Sequence, residues 1–141
     1  MKLEVYFMAK KQLFRWPFGP LMKWIGGMPI DRGSAKNTVD YSIEKFNEKE
    51  NLVIAIAPDG TRKKSGSWKT GFYYIASGAH IPIVMGFTDY ATKTGGIGGI
   101  IMPDGDIEKD MQAIRKFYLS VTGKYADNAS TIDVAQHNLI P

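Results

Sequence analysis

The residues best suited to chemistry in this chain are Asp59, Gly60, Thr61 and Arg62, which with Ala57 and Pro58 follow the apolar run Leu52-Val53-Ile54-Ala55-Ile56. A strand running into such a turn is a way to build an anion site. The strand fixes the position, glycine lets the backbone turn closely, and Thr61 and Arg62 supply donors. Lys63, Lys64 and Lys69 add positive charge nearby. Read alone, the same residues also fit a charged surface turn after a core strand, so the rest of the chain has to decide.

Elements that could position such a turn are visible in the pattern. Leu3 to Met8 is short and β-rich, and Met28 to Asp31 reads as a short extended piece. Between them lies an aromatic and basic stretch from Phe14 to Trp24, broken by Pro17 and Pro20. Thr38 can cap a helix whose apolar positions Val39, Ile43 and Phe46 recur at helical spacing, ending near Asn51. Leu52 to Ala57 has the continuous apolar character of a strand covered on both faces. Thr70 to Ala79 reads as a helix and Ile81 to Phe87 as a strand, with a weaker strand at Gly98 to Met102. A last helix runs from about Ile107 to Val121, with Ile107, Met111, Ile114, Tyr118 and Val121 along one side and Gly123 placed to stop it. Strands alternating with helices predict a single α/β domain, a mostly parallel sheet flanked by helices, over residues 1–123, with 124–141 a polar tail.

Composition narrows the function classes. A chain of 141 residues is one domain's worth and long enough to bury a core. The absence of cysteine excludes disulfides, thiolate metal sites and a cysteine nucleophile. No apolar run approaches the ~18 residues needed to span a bilayer, and Met1-Lys2-Leu3-Glu4-Val5 does not read as a signal peptide. A net charge of +4 and a pI near 9.2 favour anionic partners: phosphates, acidic lipid surfaces or nucleic acid. The basic residues are scattered among acids rather than forming a stripe, which argues against nucleic acid. The run Thr94-Gly95-Gly96-Ile97-Gly98-Gly99-Ile100 invites a dinucleotide-binding reading. Counted from Gly96, however, the third glycine of Gly-x-Gly-x-x-Gly falls on Ile101, so a hairpin or glycine-rich turn is the expectation.

Taken together, the motifs resemble the glycerolipid acyltransferases, the family that includes the bacterial 1-acylglycerol-3-phosphate acyltransferases. Gly26-Gly27-Met28-Pro29-Ile30-Asp31-Arg32 is similar to that family's second block, and Pro58-Asp59-Gly60-Thr61-Arg62 to its third, Pro-Glu-Gly-Thr-Arg. Trp68-Lys69-Thr70-Gly71 resembles the Phe-Lys-x-Gly that follows, and Ile81-Pro82-Ile83-Val84 the fourth block. Order and approximate spacing agree from about Phe7 to Phe87. Asp59 stands where the family has Glu, Pro29 where it favours an aromatic, and Met85 where it has a second proline.

The resemblance implies that Arg32, Asp59, Gly60, Thr61, Arg62 and Lys69 form the site for the acceptor's phosphate. The two arginines pair with phosphate oxygens and Gly60 and Thr61 shape the turn. For Arg32 the competing reading is an ion pair with Asp31 or Glu44, and for Lys69 a place flanking a helix start. The implied reaction is transfer of a fatty acyl group from acyl-CoA or acyl carrier protein to a glycerol phosphate or lysophospholipid acceptor, at the inner membrane face on the cytoplasmic side. No cofactor or metal is implied.

The family's first block, His-x-x-x-x-Asp, is not in the chain. His80 is followed five positions later by Met85, and no Asp follows His137. That histidine is the base that takes the acceptor's hydroxyl proton, a step an alcohol nucleophile needs near neutral pH. Its expected place is just upstream of Met1, so the catalytic residues are unassigned and the chain as written is expected to be inactive or impaired. His80 itself reads as a loop or helix-end residue. The alternative is a non-catalytic phosphate- or anionic-lipid-binding module that retains the acceptor pocket. Trp16, Phe18, Met22 and Trp24 fit either a core or a membrane-facing patch.

Overall fold

The computed structural model of the chain describes residues 4–30, 35–58 and 68–125. The chain divides into two compact units that part between Ala57 and Pro58.

The first unit is built on three parallel strands. β1 (Glu4–Lys10) lies between β2 (Gly27–Ile30) and β3 (Leu52–Ala55), in the order β2-β1-β3. Parallel neighbours need a crossover, and the chain supplies two. A 3-10 turn (Lys11–Phe14) and the short helix α1 (Gly19–Trp24) join β1 to β2, and α2 (Ala35–Glu48) joins β2 to β3. This is the α/β arrangement expected from the alternation of elements. Phe7 pairs with both Gly27 and Ala55, and Lys10 with Ile30, so β2 runs as far as β1 while β3 stops level with Phe7.

Gly26 makes the entry into β2 possible. Its φ is +85°, and a Cβ there would lie 2.6 Å from the Val5 carbonyl oxygen. Its own carbonyl accepts a hydrogen bond from the Phe7 amide at 3.0 Å, which starts the β1–β2 ladder. Helix α2 begins three residues before Thr38, so Thr38 lies within it and its carbonyl accepts from Ser42 Oγ at 2.7 Å. Val39 and Ser42 are buried on one side of α2, with Ile43 and Phe46 half-buried.

β3 departs from the expectation of a strand covered on both faces. Its residues alternate between half-buried and exposed, and Val53 and its register partner Val5 are 41% and 59% exposed. The exposure belongs to a face and not to an edge: Val5 lies on the central strand β1, and the face it shares with Val53 is open among the described residues.

The second unit carries α3 (Gly71–Gly78), the strands β4 (Ile83–Asp89) and β5 (Thr94–Ile101), and α4 (Ile107–Tyr118). β4 and β5 form an antiparallel hairpin, with a register irregularity between Met85 and Gly86. The fourth-block strand therefore pairs antiparallel with the glycine-rich run. The run, expected to be a hairpin or glycine-rich turn, is instead one strand of the hairpin, whose turn lies at 90–93, and β5 starts four residues earlier than the weak strand read at Gly98. Glycine has a packing reason here: a Cβ on Gly98 would sit 1.9 Å from the Phe117 ring.

Met85, Met111 and Ile114 form the buried centre, with Trp68, Phe72, Ile101, Ile107, Phe117 and Tyr118 packed around it. The stripe read along α4 is thus the face that makes the core. Asp106 caps this helix, its carboxylate accepting from the Lys109 amide at 3.1 Å. The helix ends at Tyr118, earlier than Val121, and the Val121 amide turns back to the Tyr118 carbonyl at 3.1 Å.

Candidate functional site

Arg32 lies in the connection between β2 and α2, and Asp59, Gly60, Thr61 and Arg62 in the stretch 59–67; both lie outside the described residues. What the structure does describe is the framework on either side of them. Arg32 follows the carboxyl end of β2 by two residues in sequence, and Asp59 follows that of β3 by four. Both strands run parallel in one sheet, so these ends belong to the same edge. Open α/β sheets commonly bind their ligands beyond that edge.

The stretch that carries Arg62 is closed at its base. The Lys69 amide donates to the Pro58 carbonyl at 3.1 Å, so two residues eleven positions apart are tied by backbone. Lys69 itself is exposed and stands two residues before α3, with Thr70 buried beside it at the helix cap. This position is the flank of a helix start.

α3 is anchored by a contact that sequence spacing could not disclose. Tyr73 Oη donates to Asp110 Oδ2 at 3.0 Å, across 37 residues, and both side chains are buried. The same carboxylate oxygen accepts from the Asp104 amide at 3.4 Å. Burial, and then the neighbouring carboxylate, push the Tyr73 hydroxyl up to about 12. The tyrosine is therefore held as a neutral donor. Trp68, immediately before Lys69, stacks edge-on against Phe72 and Tyr118 at 6.4 and 5.4 Å between centroids. The neck of the third block is thus fixed to α3 and α4 by packed rings and one buried hydrogen bond.

His80 behaves as a helix-end residue. It follows the C-cap Ala79 with φ +53°, is exposed, and its amide reaches the Ser77 carbonyl at 3.3 Å. The next amide, of Ile81, returns to the Ala76 carbonyl at 3.0 Å, closing the helix in the manner of a left-handed cap. His137 lies outside the described residues. Among the described residues no three His, Cys, Asp or Glu side chains come together as a metal site.

A family model for acyltransferases matches residues 2–86, more than half the chain and nearly the span over which the four blocks agree. The chain belongs to the acyltransferase family. Within that class its relatives act in glycerolipid chemistry by name. It is 34% identical over 82 residues to a 1-acyl-sn-glycerol-3-phosphate acyltransferase of Cocos nucifera, covering 54% of this chain and 27% of that protein. It is 36% identical over 83 residues to the 1-acyl-sn-glycerol-3-phosphate acyltransferase beta of Homo sapiens, covering 54% and 30%. The chain thus spans under a third of the length of either relative. No solved structure matches it.

Proposed function

We propose that this chain carries the acceptor site of a phospholipid-synthesising acyltransferase, in which Arg32 and Arg62 hold the phosphate of a glycerol phosphate-type acceptor such as 1-acylglycerol-3-phosphate. Asp59, Gly60 and Thr61 shape the turn that presents Arg62, and Lys69 adds charge at its neck. The acyl donor is acyl-CoA or acyl carrier protein. In the reaction the acceptor hydroxyl oxygen attacks the thioester carbonyl carbon. A C–O ester bond forms, the C–S bond breaks, and the leaving sulfur departs as a thiol with the proton that a base took from the hydroxyl. The enzyme works as a peripheral protein on the cytoplasmic face of the inner membrane. Among the described residues no helix is long and apolar enough to cross a membrane.

The observation that carries this reading is the coincidence of blocks and framework. Arg32, which closes the second block, and the third block follow in sequence the carboxyl ends of β2 and β3, two parallel strands of one sheet, and the family match runs through both. The test is binding. Arg32→Ala and Arg62→Ala should each weaken a phosphorylated acceptor by about 1.5–3 kcal/mol, the range for charged hydrogen bonds. A glycerol analogue without phosphate should show little difference, and parent-like binding of the phosphorylated ligand by both variants would remove the assignment.

A second reading is a non-catalytic phosphate- or anionic-lipid-binding module. It is favoured by the role of His80 as a helix cap. Thiol release from an acyl thioester by the purified chain separates the two: steady turnover supports the enzyme, binding without turnover the module.

A further inference from the structure

From Val5 to Ile30 the sequence holds four basic residues, Lys10, Lys11, Arg15 and Lys23, and no acid. All four are exposed. The same segment holds six large apolar side chains that face solvent: Leu13, Trp16, Phe18, Leu21, Trp24 and Ile25. Single exposed apolar residues are ordinary, but six within thirteen positions are a patch.

The local fold explains why they point outward. α1 turns Gly19 and Met22 inward: Gly19 is buried with its Cα against the Phe14 carbonyl, where a Cβ would come within 2.2 Å, and Met22 is half-buried. That choice sends the opposite side, Phe18, Leu21 and Trp24 at three-residue spacing, into solvent. Trp16, on the turn that leads into α1, is 89% exposed and Trp24 is 83% exposed. Tryptophan is favoured at the boundary between lipid headgroups and acyl chains, and lysine and arginine are favoured beside anionic headgroups.

We infer that the segment Lys10–Ile25 is an interfacial membrane-docking surface, with Trp16, Phe18, Leu21 and Trp24 entering the headgroup region of an anionic phospholipid bilayer and Lys10, Lys11, Arg15 and Lys23 pairing with its phosphates. The charge composition selects this occupant. An apolar partner protein would leave four basic side chains without counter-charge, whereas an anionic bilayer matches both the apolar and the basic groups. The inference deepens the peripheral-membrane part of the proposed function and rests on it only there. It requires neither the acceptor pocket nor acyl transfer.

The experiment mixes the purified 141-residue chain with vesicles of phosphatidylcholine containing phosphatidylglycerol, and with phosphatidylcholine alone. No lysophospholipid or thioester is present. The chain should sediment with the anionic vesicles, release on raising salt, and shift its tryptophan emission to the blue. Trp16→Glu/Trp24→Glu should lower the partition coefficient by about tenfold or more. Lys11→Glu/Lys23→Glu should lower it by at least about fivefold per residue changed. All four positions are exposed, so unchanged far-UV circular dichroism should accompany these losses. The inference is overturned if the chain ignores anionic vesicles, or if both double variants bind them like the parent. It is equally overturned if sedimentation velocity shows a dimer that Trp16→Glu/Trp24→Glu dissociates while vesicle binding is absent, since the face would then be a contact between copies. Lack of thiol release in a separate assay would sink the acyl-transfer reading and leave this one standing.

Discussion

Replacing Tyr73 by Phe tests how the neck of the third block is held. The substitution keeps the ring and removes one oxygen, which lies 3.0 Å from Asp110 Oδ2 in a site where Tyr73 is 2% and Asp110 6% exposed. At pH 8 the buried carboxylate loses a donor and keeps the longer bond from the Asp104 amide, so Tyr73→Phe should cost about 1–3 kcal/mol. The pH dependence is the sharper part. The hydroxyl is raised from 10.0 to about 12 in the folded chain, a contribution on the order of 2–3 kcal/mol. Between those two values the folded state keeps a proton that the unfolded state has lost. Stability must therefore fall as pH rises from 10 to 12, and be fully present below 10. The phenylalanine variant lacks this loss. Urea unfolding of both proteins from pH 8 to 12, compared as a difference so that other tyrosines and lysines cancel, should show the parent's advantage shrinking to zero or reversing by pH 12. Amide exchange in α3 should follow the same course. A difference that stays constant across that range would refute the coupling, and with it the claim that this hydrogen bond anchors α3.

Other outcomes follow from the same packing. Gly98→Ala should destabilise the second unit by about 1–3 kcal/mol, because its Cβ would meet the Phe117 ring and the ring must leave the core; thermal unfolding measures this. Asp106→Ala removes the cap on the Lys109 amide and should cost about 0.5–2 kcal/mol, whereas Asp106→Asn or Asp106→Ser should retain most of it. Gly26→Ala should impair formation of the β1–β2 ladder, since it combines a positive φ with a collision against the Val5 carbonyl; loss of protection at the Phe7 amide would report it.

Much of this framework was legible in the sequence, for reasons that differ by element. β1, β2, α3 and α4 carry short-range signals: a bounded apolar run, an extended piece after two glycines, a helical apolar stripe. α2 shows where such signals blur. Thr38 is a good cap by type, yet the helix runs through it to Ala35, because a favourable cap residue does not compel a start where the chain can continue helical. β3 shows the deeper limit. A continuous apolar run says that a strand can be covered on both faces, but coverage is decided by which elements lie beside it, and Val53 and Val5 lie open. β4 made the same point in pairing, because Ile83 to Phe87 reads as a buried strand whether its neighbour is parallel or antiparallel. Tyr73 and Asp110 carried no local mark of being partners. Of the candidate site, Lys69 alone lies among the described residues, at the start of α3. Arg32 and Asp59 to Arg62 rest on pattern and family.

The boundary of the family match bears on how the second unit folds. The match ends at Gly86, midway along β4, and so excludes β5 and α4. Yet the core that holds Trp68 and Phe72 is completed by Ile101, Ile107, Met111, Ile114, Phe117 and Tyr118, every one of them beyond Gly86. Tyr73 likewise finds its buried acceptor on α4. The residues matching the family thus depend on a strand and a helix outside the match for their packing, and the described partners of the Tyr73 hydroxyl, Asp110 and the Gly105 backbone, both lie beyond Gly86. A chain ending at Gly86 should therefore lose ordered structure in α3, and with it the tie between Lys69 and Pro58. Adding back residues 87–125 as a separate peptide should restore amide protection at Tyr73 and Tyr74. If α3 in the shortened chain exchanged its amides as slowly as in the parent, the matched segment would be self-sufficient and the core around Ile114 an accessory to it.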